Sequence, residues 1–311
     1  MLLVIGGTGF LGSRVLPIML ERGYEIKLLT RGSGDWRESN LGQYRKQGIK
    51  VTVGAFEDDD VLMRAMTDVD AIINLSGSFR INRNKRDSAF EYVNFTLVEK
   101  LLALAQEYEV QRYVQVSCLG ARDESPSDYL RTKYEGDTLV AKSPLYWTIF
   151  RPSYLFGERF PLLDTIRPLV TFKPFLPVVG SGLNVVAPVH VVEVANAIVD
   201  AIYMKESVGQ VVDFVGPRQY TMLELLEEVR DALGLSERVM TVPSQLSGKV
   251  FDLVSKGLPK NTIDLELAQI LIADSCALDG QGGALAKQLF GPTKVPLGDC
   301  LPTIAESLLA K

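Results

Sequence analysis

Residues 2–12 read LLVIGGTGFLG, and they constrain the fold more than any other stretch of the chain. A short apolar run meets Gly6, Gly9 and Gly12, and a segment with helical spacing follows. A strand that turns into a helix over three such glycines suits a dinucleotide. One glycine permits the tight turn, another lets the backbone approach a pyrophosphate, and the third lets helix and strand pack closely. The diphosphate would then lie on the open N–H groups at the helix N-terminus, where the helix dipole favours negative charge. The residues expected to touch it are Gly6, Thr8, Gly9, Phe10, Leu11 and Gly12. The competing reading of the glycines alone is a tight turn between core elements.

The rest of the first half repeats the same rhythm. Strand-like runs at 2–5, 25–30, 49–53, 71–75, 113–117 and 147–150 alternate with helical patterns at 10–21, 36–47, 59–66, 90–108 and 127–141. In the fourth helical segment Leu97, Leu101, Leu104 and Ala105 share one face. Gly23 and Gly48 follow helices and suit C-terminal caps. Strands alternating with helices predict an α/β fold, a doubly wound parallel sheet of the Rossmann type. After Arg151-Pro152 proline becomes dense and the rhythm changes. The expected division is a dinucleotide-binding domain over 1–152 and a smaller C-terminal α+β lobe over 153–311. Residues 190–215 of that lobe are expected to return to the sheet.

Composition narrows the setting. The 311 residues carry a formal net charge of −5 without a long basic tract, so attraction to nucleic acid is not expected. The basic cluster at 80–86 (RINRNKR) reads as a solvated loop, with a phosphate or RNA patch as its alternative. Three cysteines without motif spacing, Cys118, Cys276 and Cys300, fit a reducing compartment and imply neither a disulfide framework nor a metal site. No apolar run reaches the length of a membrane span, and the stretch at 172–180 (FKPFLPVVG) reads as a pocket wall ahead of a partner surface or a membrane-contacting lip. The expected pocket lining between Ser153 and Asn184 is mostly apolar with Arg159, Arg167 and Lys173, which hints at an anionic or lipid-like ligand. With a strand starting at residue 2, the expected location is cytoplasmic. A place peripheral to a membrane, or in an organelle after loss of a transit peptide, stays open.

Several residues could carry chemistry. Thr30-Arg31-Gly32-Ser33 ends the second strand, where an acid would hold the ribose 2′-hydroxyl of NAD(H). A guanidinium there suits a 2′-phosphate, so Thr30 and Arg31 favour NADP(H) over NAD(H). Tyr129 and Lys133 stand at i, i+4 on a helix that follows the fifth strand, close to the sheet edge where ligands bind. An ammonium beside a phenol should lower its pKa and make it a usable acid–base group. A hydroxyl for the substrate should come from the preceding strand end. Ser117 is the stronger donor, although Cys118 could face the site instead. Asn74 and Ser76 end the fourth strand and Pro152 the sixth, all within expected reach of the cofactor. Asn94 opens the neighbouring helix. His190, the only histidine, sits in an apolar setting and reads as a packing residue.

Taken together, GGTGFLG, NLSG at 74–77, VSCLGA at 116–121, YLRTK at 129–133, RPSYLFG at 151–157 and PVHVVEVA at 188–195 resemble the extended short-chain dehydrogenases/reductases, in that family's order. The resemblance implies that Tyr129 is the general acid/base, that Lys133 orients the cofactor and tunes the tyrosine, and that Ser117 assists. A narrower likeness, through RPSYLFGERF and GQVVDFVGPRQYTMLELLEEV, is to the atypical branch containing the NADPH-binding accessory subunit of respiratory complex I and its bacterial relatives. That subunit holds NADPH structurally. Ala55 stands where the wider family has an aspartate near the adenine, and Glu193 follows Val192 where a pair of aspartates is common. These departures weigh against a specific sugar-epimerase activity. The expected function is an NADP(H)-dependent oxidoreductase or epimerase acting on a small molecule. The alternative is a non-catalytic, nucleotide-stabilised subunit or assembly factor of a respiratory complex. RNA binding, seen in some atypical relatives, sits poorly with the acidic charge. The oligomeric state stays open, with the helices at 90–108 and 127–141 offering one dimer face.

Overall fold

The computed structural model describes residues 1–31, 35–77, 89–164, 175–242, 265–277 and 283–309. Residues 32–33, the basic cluster at 80–86, residues 172–174 of the stretch at 172–180, and Arg167 lie outside that set.

The first half supplies β1 (Leu2–Ile5), α1 (Gly12–Glu21), β2 (Ile26–Thr30), α2 (Asp35–Lys46), β3 (Lys50–Val53), α3 (Asp59–Met66) and β4 (Ala71–Asn74). Then come α4 (Ala89–Glu91), a π-helical turn at Tyr92–Thr96, α5 (Leu97–Glu107), β5 (Arg112–Val116), α6 (Asp128–Lys142) and β6 (Tyr146–Pro152). The second half supplies β7 (Leu155–Phe156), β8 (Phe175–Val179), β9 (Val185–Val186), β10 (Val189–His190) and α7 (Val191–Ala201). It continues with β11 (Gln210–Phe214), β12 (Tyr220–Thr221), α8 (Met222–Ala232), β13 (Arg238–Val242), α9 (Leu265–Leu271), α10 (Ala284–Phe290) and α11 (Leu297–Leu309).

Seven strands form one sheet in the order β11-β6-β5-β4-β1-β2-β3, and every pairing in it is parallel. The direction of winding reverses between β1 and β4, and a crevice opens there at the C-terminal ends of the strands. β1 is buried along its whole length. Leu2 and Val4 pack with Val15, Leu16 and Met19 of α1 and Ile198 of α7. Leu3 and Ile5 face the other way, onto Leu62 of α3 and Leu97 and Leu101 of α5. An unbroken apolar run is the mark of a central strand covered on both faces.

The second half does not stand apart. β11 pairs in register with β6 from Gln210↔Thr148 to Phe214↔Pro152. Val194, Ala197 and Ile198 of α7 share the cluster built around α1. The remaining lobe has a core of its own, centred on Phe156, Phe160, Leu225, Leu301 and Ile304. Three two-stranded ribbons edge it: β7 with β10, β9 with β12, and β8 with β13. No helix among the described residues is long and apolar enough to cross a membrane.

Arg112 ties the two halves together. Its guanidinium is buried, with no carboxylate partner among the described residues. It donates to Tyr146 O at 2.7 Å, Ala201 O at 2.6 Å, Ile202 O at 3.0 Å and Thr148 Oγ1 at 2.7 Å. Two of those carbonyls end α7, where the helix dipole favours a cation. Burial brings its pKa down to about 10, still far above neutrality. Replacing Arg112 by Met keeps the bulk and leaves these carbonyls without a donor. The expected loss is about 3 kcal/mol. Urea unfolding should show a lower midpoint with an unchanged m-value.

Candidate functional site

A cavity of about 270 Å³ lies at the ends of β1, β4, β5 and β6, at the reversal of the sheet. The glycine turn forms one wall. Gly6 has φ +79°, and a Cβ there would come within 2.8 Å of the Leu75 carbonyl carbon. At Gly12 a Cβ would sit 2.4 Å from Gly7 Cα, so α1 can begin against the turn only without a side chain. Gly9 is less confined, 3.2 Å from Gly6 O, and faces the opening. Leu11 precedes the first turn of α1 and gives it no side-chain cap. Together these features leave a bare, positively polarised helix end at the cavity, which fits a nucleotide diphosphate.

The helix α6 forms the facing wall. Ser127 caps it, accepting from Leu130 N at 3.2 Å. Glu266, from α9, completes the cap across the lobe. Its carboxylate accepts from Ser127 Oγ at 2.5 Å, Asp128 N at 3.1 Å and Tyr129 N at 2.7 Å. A carboxylate at a helix N-terminus meets both open donors and the dipole. Tyr129, Lys133 and Asp137 then follow at four-residue intervals along one side of the helix.

Lys133 is buried and donates to Ser76 O and Val116 O, both at 3.1 Å. Its Nζ would lie 3.1 Å from a Cβ on Gly77. Burial lowers its pKa. Tyr129 packs edge-on against Phe90 at 5.6 Å between ring centres, and its hydroxyl pairs with the Cys118 thiol. Its pKa is raised well above that of a free phenol, first by burial and then by Cys118. This corrects the expectation that Lys133 would lower it. The ammonium is engaged with carbonyls at the ends of β4 and β5, and loss of solvation dominates at the phenol. The Cys118 thiol is likewise pushed up to about 11 by burial.

Strand alternation separates Ser117 from Cys118. Cys118 meets Tyr129. Ser117 and Cys118 both line the cavity, and the Ser117 Oγ is buried without a hydrogen-bond partner among the described residues, near enough to Asp137 to favour its ionised form. Asp137 itself pairs with Arg151 at 2.9 Å.

Of the other residues singled out in the sequence, Phe10, Leu11, Ser76 and Pro152 also line the cavity, and Thr8 does not. Asn74 is wholly buried behind it. Asn74 donates to Gln115 Oε1 at 3.0 Å and accepts from Ser76 N and Oγ, which shapes the end of β4. Asn94 lies in the π-turn and donates to Thr132 Oγ1 at 3.1 Å, while its carbonyl leaves room only for a glycine at Gly136. Thr30 is buried at the end of β2. Arg31 beside it is exposed, with its guanidinium 5.6 Å from the centre of the Phe56 ring. His190 packs edge-on against Phe156 and does not line the cavity, and burial lowers its pKa. Tyr154 and Phe160 of the far wall fall in the mostly apolar stretch 153–184 read as pocket lining, whereas sequence reasoning passed over Leu119, Leu267 and Ile270, which complete that wall. It also passed over Glu266, which stands 137 positions from Tyr129 and has no local signal.

Residues 6–164 match the NAD(P)H-binding family, and the chain belongs to it. Its fold is also that of solved epimerase and dehydratase structures. UDP-glucuronic acid 4-epimerase from Bacillus cereus superposes with a TM-score of 0.74 over 99% of both chains at 16% identity. dTDP-glucose 4,6-dehydratase from Bacillus anthracis superposes at 0.71 over 100% of this chain and 96% of that one, at 20% identity. Among relatives, subunit 9 of the NADH dehydrogenase [ubiquinone] 1 alpha subcomplex of Arabidopsis thaliana, a mitochondrial protein, is 33% identical over 249 residues. The match takes in 77% of this chain and 60% of that protein. Photosystem II assembly factor Ycf39 of Cyanophora paradoxa is 24% identical over 78% of this chain and 71% of its own. The chain spans 60–66% of the length of the Arabidopsis, Dictyostelium, Neurospora and mouse complex I relatives.

The half-buried Cys118 thiol offers a check on the site's electrostatics. A pKa of about 11 at Cys118 cuts the thiolate fraction at pH 8 by roughly two orders of magnitude relative to a free thiol, and higher intrinsic nucleophilicity restores about one of them. Iodoacetamide should label Cys118 at least about tenfold more slowly than free glutathione at pH 8, with the rate climbing towards pH 11. Peptide mass spectrometry would follow it.

Proposed function

We propose that the chain binds NADPH along the glycine turn and acts as a nicotinamide-dependent reductase or epimerase, with Tyr129 as the proton-transferring group. The observation that carries this reading is that Tyr129, Lys133 and the bare N-terminus of α1 all open into one cavity. When bound, the nicotinamide would supply or accept a hydride. The chain's own residues would do the rest. The end of α1 would hold the diphosphate. Lys133, fixed by Ser76 O and Val116 O, stands where it could also hold the nicotinamide ribose. Tyr129, with its raised pKa, keeps its proton at neutral pH and is suited to give it to a developing alkoxide, which favours the reductive direction. Ser117 would act through Asp137, and Cys118 would share the proton site with Tyr129.

Arg31 supports NADPH over NADH. Among the described residues no carboxylate pairs with it, and it stands exposed at the end of β2. Replacing Arg31 with Ala should weaken NADPH binding about tenfold and leave NADH binding unchanged. Equal weakening of both would remove the basis for the preference. Tyr129→Phe should lower turnover of NADPH with a reducible carbonyl substrate by about 10²–10⁴-fold at an unaltered NADPH affinity. Unchanged turnover would rule out this role for Tyr129.

A second reading is supported by the similarity to the mitochondrial complex I subunits and to Ycf39. In it, NADPH is a structural ligand that stabilises the fold by mass action, and the partner is a respiratory or other membrane assembly, in an organelle or at a membrane surface. Nucleotide retained through purification, with no turnover in the wild type and a melting temperature that falls for Arg31→Ala, would favour it.

A further inference from the structure

We infer that the part of the cavity beyond the glycine turn takes a neutral, mostly apolar carbonyl compound and not a nucleotide sugar. The inference rests on the proposed placement of the nucleotide and names the class of molecule that would meet it.

The far wall is built from Leu119, Leu130, Tyr154, Phe160, Leu267 and Ile270. A sugar diphosphate brought here would lose its water and need cations in exchange. Among the described lining residues Lys133 is the one cation, and it already serves two carbonyls. Nearby arginines are paired elsewhere: Arg131 with Asp128, Arg151 with Asp137, Arg159 with Asp164. The other charged residue on the wall is Asp274, an anion that would repel phosphate. Its Oδ1 accepts from Val185 N.

The wall's polar groups are also turned away from a ligand. Tyr154 donates its hydroxyl to Ile270 O at 3.3 Å, and Ser153 Oγ donates to Ser275 O at 2.6 Å. The apolar side is fixed in place. Glu266 locks α9 to α6, and Asn184 Nδ2 donates to Leu271 O at 3.0 Å and Ala273 O at 3.2 Å. A preformed apolar pocket with a single convergent polar group is the usual form of a small-molecule site. Here that group is the Tyr129 hydroxyl with the Cys118 thiol beside it, which suits one carbonyl oxygen on an otherwise apolar body.

The test uses the full chain and the neutral fluorophore N-phenyl-1-naphthylamine, titrated with and without NADPH. The expected result is saturable binding at one probe per chain, displaced by 2-decanone and untouched by UDP-glucuronic acid. Ile270→Asp should weaken the probe at least about tenfold, because a buried carboxylate then faces it. Ile270→Val, which keeps the wall apolar, should bind the probe like the wild type. The NADPH affinity of both variants should stay at the wild-type value, which also reports that they are folded. Displacement by UDP-glucuronic acid but not by 2-decanone would overturn the inference, as would NADPH binding without saturable probe binding. Probe binding with these properties but no NADPH binding would support it and overturn the nucleotide reading alone. Binding of neither would overturn both.

Discussion

Everything in this molecule is arranged around a backbone contact that tolerates no side chain, Gly12 against Gly7. Because α1 can come that close to the turn, its first residues point into the crevice at the reversal of the sheet. The same closeness lets Val15, Leu16 and Met19 of α1 seat on Leu2 and Val4 of β1, so helix position and strand burial are settled together. A larger residue at either glycine would move the helix, the cavity wall and one face of the central strand at once. The short apolar strand and the bare helix end thus follow from one steric condition.

Burial sets the electrostatics of the opposite wall. Tyr129, Cys118 and Lys133 are each shifted towards their neutral forms, and in each case loss of solvation leads the causes. Asp137 is shifted the same way, even though Arg151, Ser117 and Lys133 all work to keep it ionised. This wall is held in shape by hydrogen bonds donated to carbonyls and to a distant carboxylate more than by charge attracting charge. Glu266 matters here because it fixes the first turn of α6, from which the positions of Tyr129 and Lys133 follow.

The sequence carried the parts of this arrangement that depend on neighbours along the chain. Fully buried parallel strands announce themselves as apolar runs, so β1, β2 and β4 were legible, as were the left-handed glycines Gly23 and Gly48 at helix ends. Tyr129 and Lys133 could be matched by helical spacing alone. The ribbons formed by β8 with β13 and by β9 with β12 were not legible, because their pairing depends on partners 34–63 residues away. The π-turn at Tyr92–Thr96 breaks a helix whose apolar spacing otherwise reads as continuous, and the reason lies across the interface, at Gly136. Tyr129's pKa was misjudged for a similar reason. Spacing along α6 put an ammonium near the phenol, but the carbonyls that hold it come from the turn after β4 and the end of β5. The choice between Ser117 and Cys118 turned on the phase of a strand end, which sequence cannot fix.

The placement of β11 has a temporal side. β6 and β11 are adjacent parallel strands, yet the chain between them makes β7 to β10 and α7 before coming back. Until residues 210–214 have been made β6 is a bare edge, and Arg112 gains its α7 carbonyls, Ala201 O and Ile202 O, only shortly before that. The sheet therefore closes late, over a long loop whose ordering must be met before the contacts repay it. A nascent chain ending near residue 200 would present an unprotected parallel edge, the kind of surface on which strands from other molecules assemble. Synthesis of this protein passes through a stretch in which its most regular element is also its least protected.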